Sequence, residues 1–212
     1  MSTWADRTAD RSPSVQRSRD RSVKQAKVLV DAGRRLVLEK GHNFTINELV
    51  KEAGVALQTF YRYFAGKDEL MLAVLEDLIA DACELYRTHV AGIEDPVERR
   101  HDYITSVFAL LDDPVMMSGA RFVASEHWRL AQSFPDEVAQ ATRPFADMLG
   151  TEIIAGTEAG ELRSADPERD AWLIAQMVLS VFHQRCYQTT DDSRLATDVW
   201  RFCLTALGGR VD

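Results

Sequence analysis

Lysine is absent from this 212-residue chain beyond Lys67. Residues 1–67 hold 13 Lys and Arg against 7 Asp and Glu, a net +6, while the remainder holds 12 against 26, a net −14. The overall −8 therefore conceals a basic head that suits a polyanion and an acidic remainder that phosphate repels. Long apolar runs are also missing: none approaches the ~20 residues of a membrane span. The N-terminus is polar and Arg-rich with no apolar segment, so no secretory signal is visible and a cytoplasmic protein with no membrane partner is expected. Cysteine is scarce. Cys83, Cys186 and Cys203 are odd in number and lack metal-ligand spacing, which fits a reducing compartment and buried packing roles.

Catalytic signatures are missing too. There is no C-x-x-C pair, no H-x-x-x-H, no G-x-S-x-G elbow and no phosphate-binding glycine loop. Glu126 and His127 sit side by side, but neighbours on a helix point ~100° apart and cannot easily face one reacting atom. His127 and His183 read as core or pocket-wall histidines. No enzyme, metal or cofactor is implied. Period-2 strand patterns and internal repeats are also absent, leaving an all-α chain whose 46% hydrophobic content is ample for a core.

What is present centres on residues 44–70, FTINELVKEAGVALQTFYRYFAGKDEL. Thr45 and Glu48 form a T-x-x-E capping box, with Phe44 and Leu49 as its hydrophobic staple. Ile46, Leu49, Val50 and Ala53 mark one buried face, and Gly54 ends the helix in the left-handed conformation. A second helix, from about Leu57 to Phe64, places Leu57, Phe60 and Phe64 on its back. Gln58, Thr59 and Arg62 lie on its front, and Tyr61 and Tyr63 on its shoulders. A purely structural helix has little use for such a front. In a DNA major groove, Arg and Gln read base edges while Tyr hydroxyls and Lys67 hold phosphates.

The run TINELVKEAGV…TFYRYFAGKDEL resembles the helix-turn-helix of TetR-type transcriptional regulators. The resemblance rests on Thr45, the Ala53-Gly54-Val55 turn, the Thr59-to-Phe64 core and the Lys67-to-Leu70 start of the next helix. It implies phosphate contacts from Thr45, Tyr61, Tyr63 and Lys67, with base reading by Gln58, Thr59 and Arg62. Three positions depart from the common pattern. Ala56 replaces a capping Ser, at a local cost of about 0.5–2 kcal/mol. Leu57 stands where Lys is common and Gln58 where a small residue is common, which leaves the operator sequence open.

Along the chain, residues 1–21 read as a disordered arm in which Arg11, Arg17, Arg19 and Arg21 either enter a minor groove or are merely solvated. Residues 22–67 form the DNA-binding domain, with Ser22 and Gln25 as a capping box and Val28, Leu29, Ala32, Leu36 and Val37 lining the first helix. Residues 68–212 form a helical effector-binding and dimerisation domain. Its helices are opened by Lys67, by Asp95-Pro96, by Asp113-Pro114, near Pro135 or afresh near Arg143, by Asp166-Pro167 and by Ser193.

The last two helices, expected over about Asp166–Thr189 and Ser193–Leu207, are apolar nearly all round and so need two buried faces. A second copy of the chain supplies the second face most simply, with Leu179, Trp200, Cys203, Leu204 and Leu207 at the interface. The G-E-L-R turn and D-P-E-x-D-A-W run also resemble TetR-type proteins, in which the final helices pair as a four-helix bundle. A homodimer would match a palindromic operator. The switch is expected to be a small, largely apolar effector that releases a repressor from DNA. Its lining is drawn from Tyr103, Phe108, Met117, Phe122, Trp128, Met148 and Trp172, with Arg121, Gln176 and His183 as polar anchors. The alternative is a DNA-binding regulator without a small-molecule effector, controlled by a partner protein or by abundance.

Overall fold

The computed structural model describes residues 13–112, 114–187 and 194–209, and among these the regular structure is helical with no strand. The helices are α1 (Pro13–Lys40), α2 (Ile46–Ala53), α3 (Leu57–Tyr63), α4 (Lys67–Val90), α5 (Pro96–Ala109), α6 (Pro114–Ala131), α7 (Pro135–Glu158), α8 (Pro167–Tyr187) and α9 (Leu195–Ala206). The chain divides into two compact units, Met1–Val74 and Leu75–Asp212. Residues 1–12 of the expected arm, the Asp113 cap and the expected helix ends at Thr189 and Ser193 lie outside the described residues.

In the first unit α1 begins at Pro13, so residues 13–21 are helical rather than arm, and Ser22 and Gln25 lie inside the helix rather than at its cap. Gln16, Arg17, Arg19 and Arg21 are good helix formers and Pro13 is tolerated in a first turn, so the helix extends through the weaker formers Val15, Ser18 and Asp20. Leu29, Val30, Ala32, Leu36 and Val37 are buried, whereas Val28, expected inside, is exposed. Gly41 closes α1 at φ 62°, its N–H donating to the Val37 carbonyl at 2.8 Å. Gly33 lets α4 approach closely, since a Cβ there would lie 3.1 Å from Val74 Cγ2.

The second unit buries one continuous cluster drawn from α4 through α9. Asp95 caps α5, its carboxylate accepting from the Val97 N–H at 2.7 Å. Of the two courses left open for the Pro135–Pro144 region, the chain takes a single helix through Pro144. An internal proline costs about 3 kcal/mol. Here the burial of Val138 and Ala141 before it and of Met148, Leu149, Ile153 and Gly156 after it carries the helix through. A buried polar anchor ties α5 to α7. Arg99 Nε reaches both Glu152 oxygens at 3.1–3.2 Å, while Arg100 Nη1 donates to the Glu152 carbonyl at 2.9 Å.

Helices α8 and α9 turn one face inward and leave apolar groups outside. Ala171, Ile174, Ala175, Val178, Phe182 and Cys186 of α8, and Val199, Cys203 and Leu204 of α9, are buried. Trp172, Leu173, Tyr187 and Phe202 remain 45%, 48%, 56% and 65% exposed. No helix among the described residues is long and apolar enough to cross a membrane.

Candidate nucleic-acid interface

The candidate surface is built by α2, the turn after it, and α3. Thr45 caps α2: its hydroxyl accepts from the Glu48 N–H at 3.2 Å, and the Glu48 carboxylate accepts from the Thr45 N–H at 2.8 Å and hydroxyl at 2.9 Å. These hydrogen bonds, the Thr45 N–H first and then Lys40 at 3.0 Å, lower the Glu48 pKa to about 2. The box expected at this position is therefore present. It also commits the Thr45 hydroxyl proton to a charged carboxylate, so a phosphate oxygen must compete with Glu48 for it. Gly54 ends α2 at φ 66°, where a side chain would be strained.

Helix α3 starts at Ala56 with no side-chain cap, as the missing Ser implies. Phe60 is fully buried and Phe64 nearly so, which fixes the inward face of the helix. Leu57, expected on the same back, is 42% exposed. It occupies the first helical position, and because side chains lean toward a helix N-terminus it projects past the packed turn. Gln58, Tyr61 and Arg62 are exposed and Thr59 is half-buried. Tyr61 packs edge-on to Phe60 with centroids 5.2 Å apart and is 55% exposed.

Tyr63 and Arg62 are tied to α1. The Tyr63 hydroxyl donates to Gln25 Oε1 at 2.9 Å, and Arg62 Nη2 donates to the same oxygen at 2.6 Å. Arg62 also lies over the Tyr63 ring, 4.9 Å from its centroid. Gln25 is the functional candidate that reading the sequence missed. Three positions after Ser22 it looks like a cap residue, and nothing in local spacing reveals partners 37 and 38 positions away.

Lys67 likewise turns inward. Its ammonium donates to the carbonyls of His42 and, at 2.6 Å, Phe44, and sits 4.4 Å from the Phe44 ring centroid. It thus braces the loop between α1 and α2, a role the sequence did not suggest.

The residues expected to line an effector site differ in burial. Tyr103, Phe108 and Met148 belong to the buried core of the second unit, with Met117 packed on it, and Phe122 is buried as well. Trp128 and Trp172 are 48% and 45% exposed. Arg121 is exposed and its Nε donates to the Cys186 carbonyl at 3.3 Å, satisfying the last turn of α8. Gln176 and His183 are half-buried. The rings of His127, Trp128, His183 and Tyr187 form a ladder with centroids 5.3–6.1 Å apart. A shallow cleft opens elsewhere, lined by Ile93, Val97, Glu98, His101, Asp102 and Trp200.

The interface set also divides. Cys203, Leu204 and Leu207, placed at the subunit contact by the sequence, are 1%, 5% and 6% exposed and pack inside their own chain. The two-sided apolar pattern cannot tell which side faces inward, and here the inward side is theirs. Leu179 and Trp200 are half-buried. The three cysteines are free and buried, and loss of solvation raises their thiols to about 11 for Cys83 and Cys186 and about 12 for Cys203. They act as packing groups. Among the described residues no cluster of His, Cys, Asp and Glu could hold a metal.

Residues 29–74 match the profile of "Bacterial regulatory proteins, tetR family". The chain is 40% identical over 53 residues to the uncharacterized HTH-type transcriptional regulator YvaF of Bacillus subtilis (strain 168), a match covering 25% of this chain and 28% of that one. Curated relatives at 32–40% identity are matched over 28–38% of their own length. In fold, the chain is similar to RolR in complex with resorcinol (TM-score 0.70, 17% identity, 90% of this chain and 91% of that). It is also similar to FadR from Bacillus subtilis in complex with stearoyl-CoA (TM-score 0.62, 19% identity, 87% and 99%).

Proposed function

We propose that the chain, whose residues 29–74 match the tetR-family profile, is a sequence-specific, cytoplasmic repressor of transcription. In this reading it binds duplex operator DNA through α3 as a homodimer on a palindromic site, and a small, largely apolar effector releases it. The observation that carries the proposal is α3 itself. A fully buried Phe60 anchors a helix whose opposite face offers Gln58, Tyr61 and Arg62 to solvent, within a head of net +6. Gln58, Thr59 and Arg62 would read bases, Tyr61 would meet phosphate, and Tyr63, Thr45 and Lys67 would do so in competition with their present partners. The DNA-binding unit would run from α1 through the first two turns of α4, to Val74, rather than stop at Lys67.

Ligands as unlike as resorcinol and stearoyl-CoA are bound by other proteins of this fold. The fold therefore admits an effector without naming one, and Met117, Gln176 and His183, which are neither sealed in the core nor fully exposed, are the contacts we favour. One observation supports the alternative of a regulator controlled by a partner protein or by abundance: Tyr103, Phe108, Phe122 and Met148, four of the expected lining residues, are buried.

The test is to select bound sequences from duplexes with a randomised core, then titrate the selected site across a salt series. The affinity should fall steeply with salt, as phosphate contacts release counterions. Normal binding to the selected site after deletion of residues 45–67 would refute the assignment.

A further inference from the structure

We propose that Gln25 of α1 is a positioning residue for base reading: it holds Arg62 and Tyr63 of α3 in one arrangement and so sets which bases Arg62 prefers. The inference rests on the reading that α3 meets duplex DNA.

Arg62 and Tyr63 are adjacent on α3, so their side chains leave the helix ~100° apart and would diverge. The structure instead brings them to one acceptor. Gln25 Oε1 receives Arg62 Nη2 at 2.6 Å and the Tyr63 hydroxyl at 2.9 Å, and Nη2 also reaches the phenol oxygen at 3.3 Å. These three contacts close a triangle, and the guanidinium stacks on the phenol ring, 4.9 Å from its centroid. The bond to Gln25 is charge-assisted, the stronger class of hydrogen bond. Two donors on one amide oxygen also determine the amide's orientation, because its nitrogen cannot accept.

An exposed arginine otherwise samples many rotamers and reaches acceptors on several neighbouring base pairs. Here both hydrogen bonds leave from Nη2, so Nε and Nη1 carry none and are offered in one direction. A donor held before the encounter loses less freedom on binding, and it distinguishes the base whose acceptors lie along that direction from bases whose acceptors do not. Gln25 touches no base in this account. Its place is set by the burial of Leu29 and Ala32, one to two turns further along α1.

The experiment uses the full-length chain and duplexes with a randomised core. It compares the wild type with Gln25→Met, which keeps length but removes the acceptor, Gln25→Glu, which keeps the acceptor, Arg62→Ala, and the Gln25→Met/Arg62→Ala double variant. Gln25→Met should flatten base preference at the same positions that Arg62→Ala flattens. Discrimination there should fall about three- to tenfold, the scale of one ordinary net hydrogen bond, since Arg62 keeps its charge and its helix position. Affinity for a scrambled duplex should stay within about twofold, since no phosphate contact is removed. The double variant should be no flatter than Arg62→Ala alone, and Gln25→Glu should retain the wild-type preference at those positions.

Unchanged or sharpened preference in Gln25→Met, flattening at other positions, or additive losses in the double variant would each overturn the inference while leaving DNA binding intact. A wild-type chain that enriches no sequence from the pool would overturn the DNA-binding reading, and this inference with it.

Discussion

Lys67 braces a loop, and a mutation must separate that role from the phosphate contact proposed for it. Its ammonium satisfies two loop carbonyls and covers the Phe44 ring, so it contributes to the stability of the head by itself. Lys67→Met should lower the unfolding temperature of the DNA-free protein and also weaken all duplexes alike. If only the salt slope fell, by about one phosphate contact, and thermal stability were untouched, the brace would be irrelevant. His127 makes a second prediction at this scale. It is buried, its Nδ1 has no hydrogen-bond partner, and burial, followed by the nearby His183, lowers its pKa from 6.5. A depressed histidine favours the folded state in its neutral form, so its contribution is complete above the unfolded pKa and is lost as pH falls below about 6.5. Replacing His127 with Phe should flatten the pH dependence of thermal stability on that acid side. Equal acid sensitivity in the variant would assign the effect to other groups.

At the scale of the element, the α5–α7 pair depends on a missing side chain. A Cβ at Gly156 would collide with the Arg100 guanidinium and lie 2.9 Å from Leu162 Cδ1. Arg100 cannot swing away freely, because it is 2% exposed and bonded to the Glu152 carbonyl. Gly156→Ala therefore should destabilise the second unit by about 1–3 kcal/mol despite Ala's better helix propensity, since overpacking outweighs the ~1 kcal/mol backbone gain. Chemical denaturation followed by the tryptophans of that unit would measure it, and a stabilised variant would show that Arg100 relocates without cost.

At the scale of the whole molecule, the apolar surface left on α8 and α9 bears on assembly. Trp172, Leu173, Tyr187 and Phe202 are large and largely exposed in the single chain, whereas Leu204 is buried within it. A homodimer through these helices would cover the first group and leave the second in the core. Phe202→Glu combined with Trp172→Glu should thus yield a folded monomer in light scattering, with weaker operator binding. Leu204→Glu, by contrast, should lose the fold itself, since it buries an unpaired charge. A stable dimer in the first variant would move the interface elsewhere.

Local chemistry was enough, from sequence alone, for the parts of this protein that are held by near neighbours. The Thr45–Glu48 box, the Gly54 stop, the uncapped start at Ala56, the Asp95 cap and the all-helical class each depend on residues a few positions apart, and the structure has them all. The division of charge at Lys67 was equally legible, because composition needs no coordinates. Tertiary structure alone decided the rest. Periodicity marks α8 and α9 as two-faced but cannot say which face the chain itself covers, so Leu204 fell on the wrong side of the expectation. The same blindness left Leu57 inside, Arg62 unattached and Lys67 free for phosphate. Burial and hydrogen-bond partners at separations of tens of residues are set by how helices pack, and no local spacing encodes them.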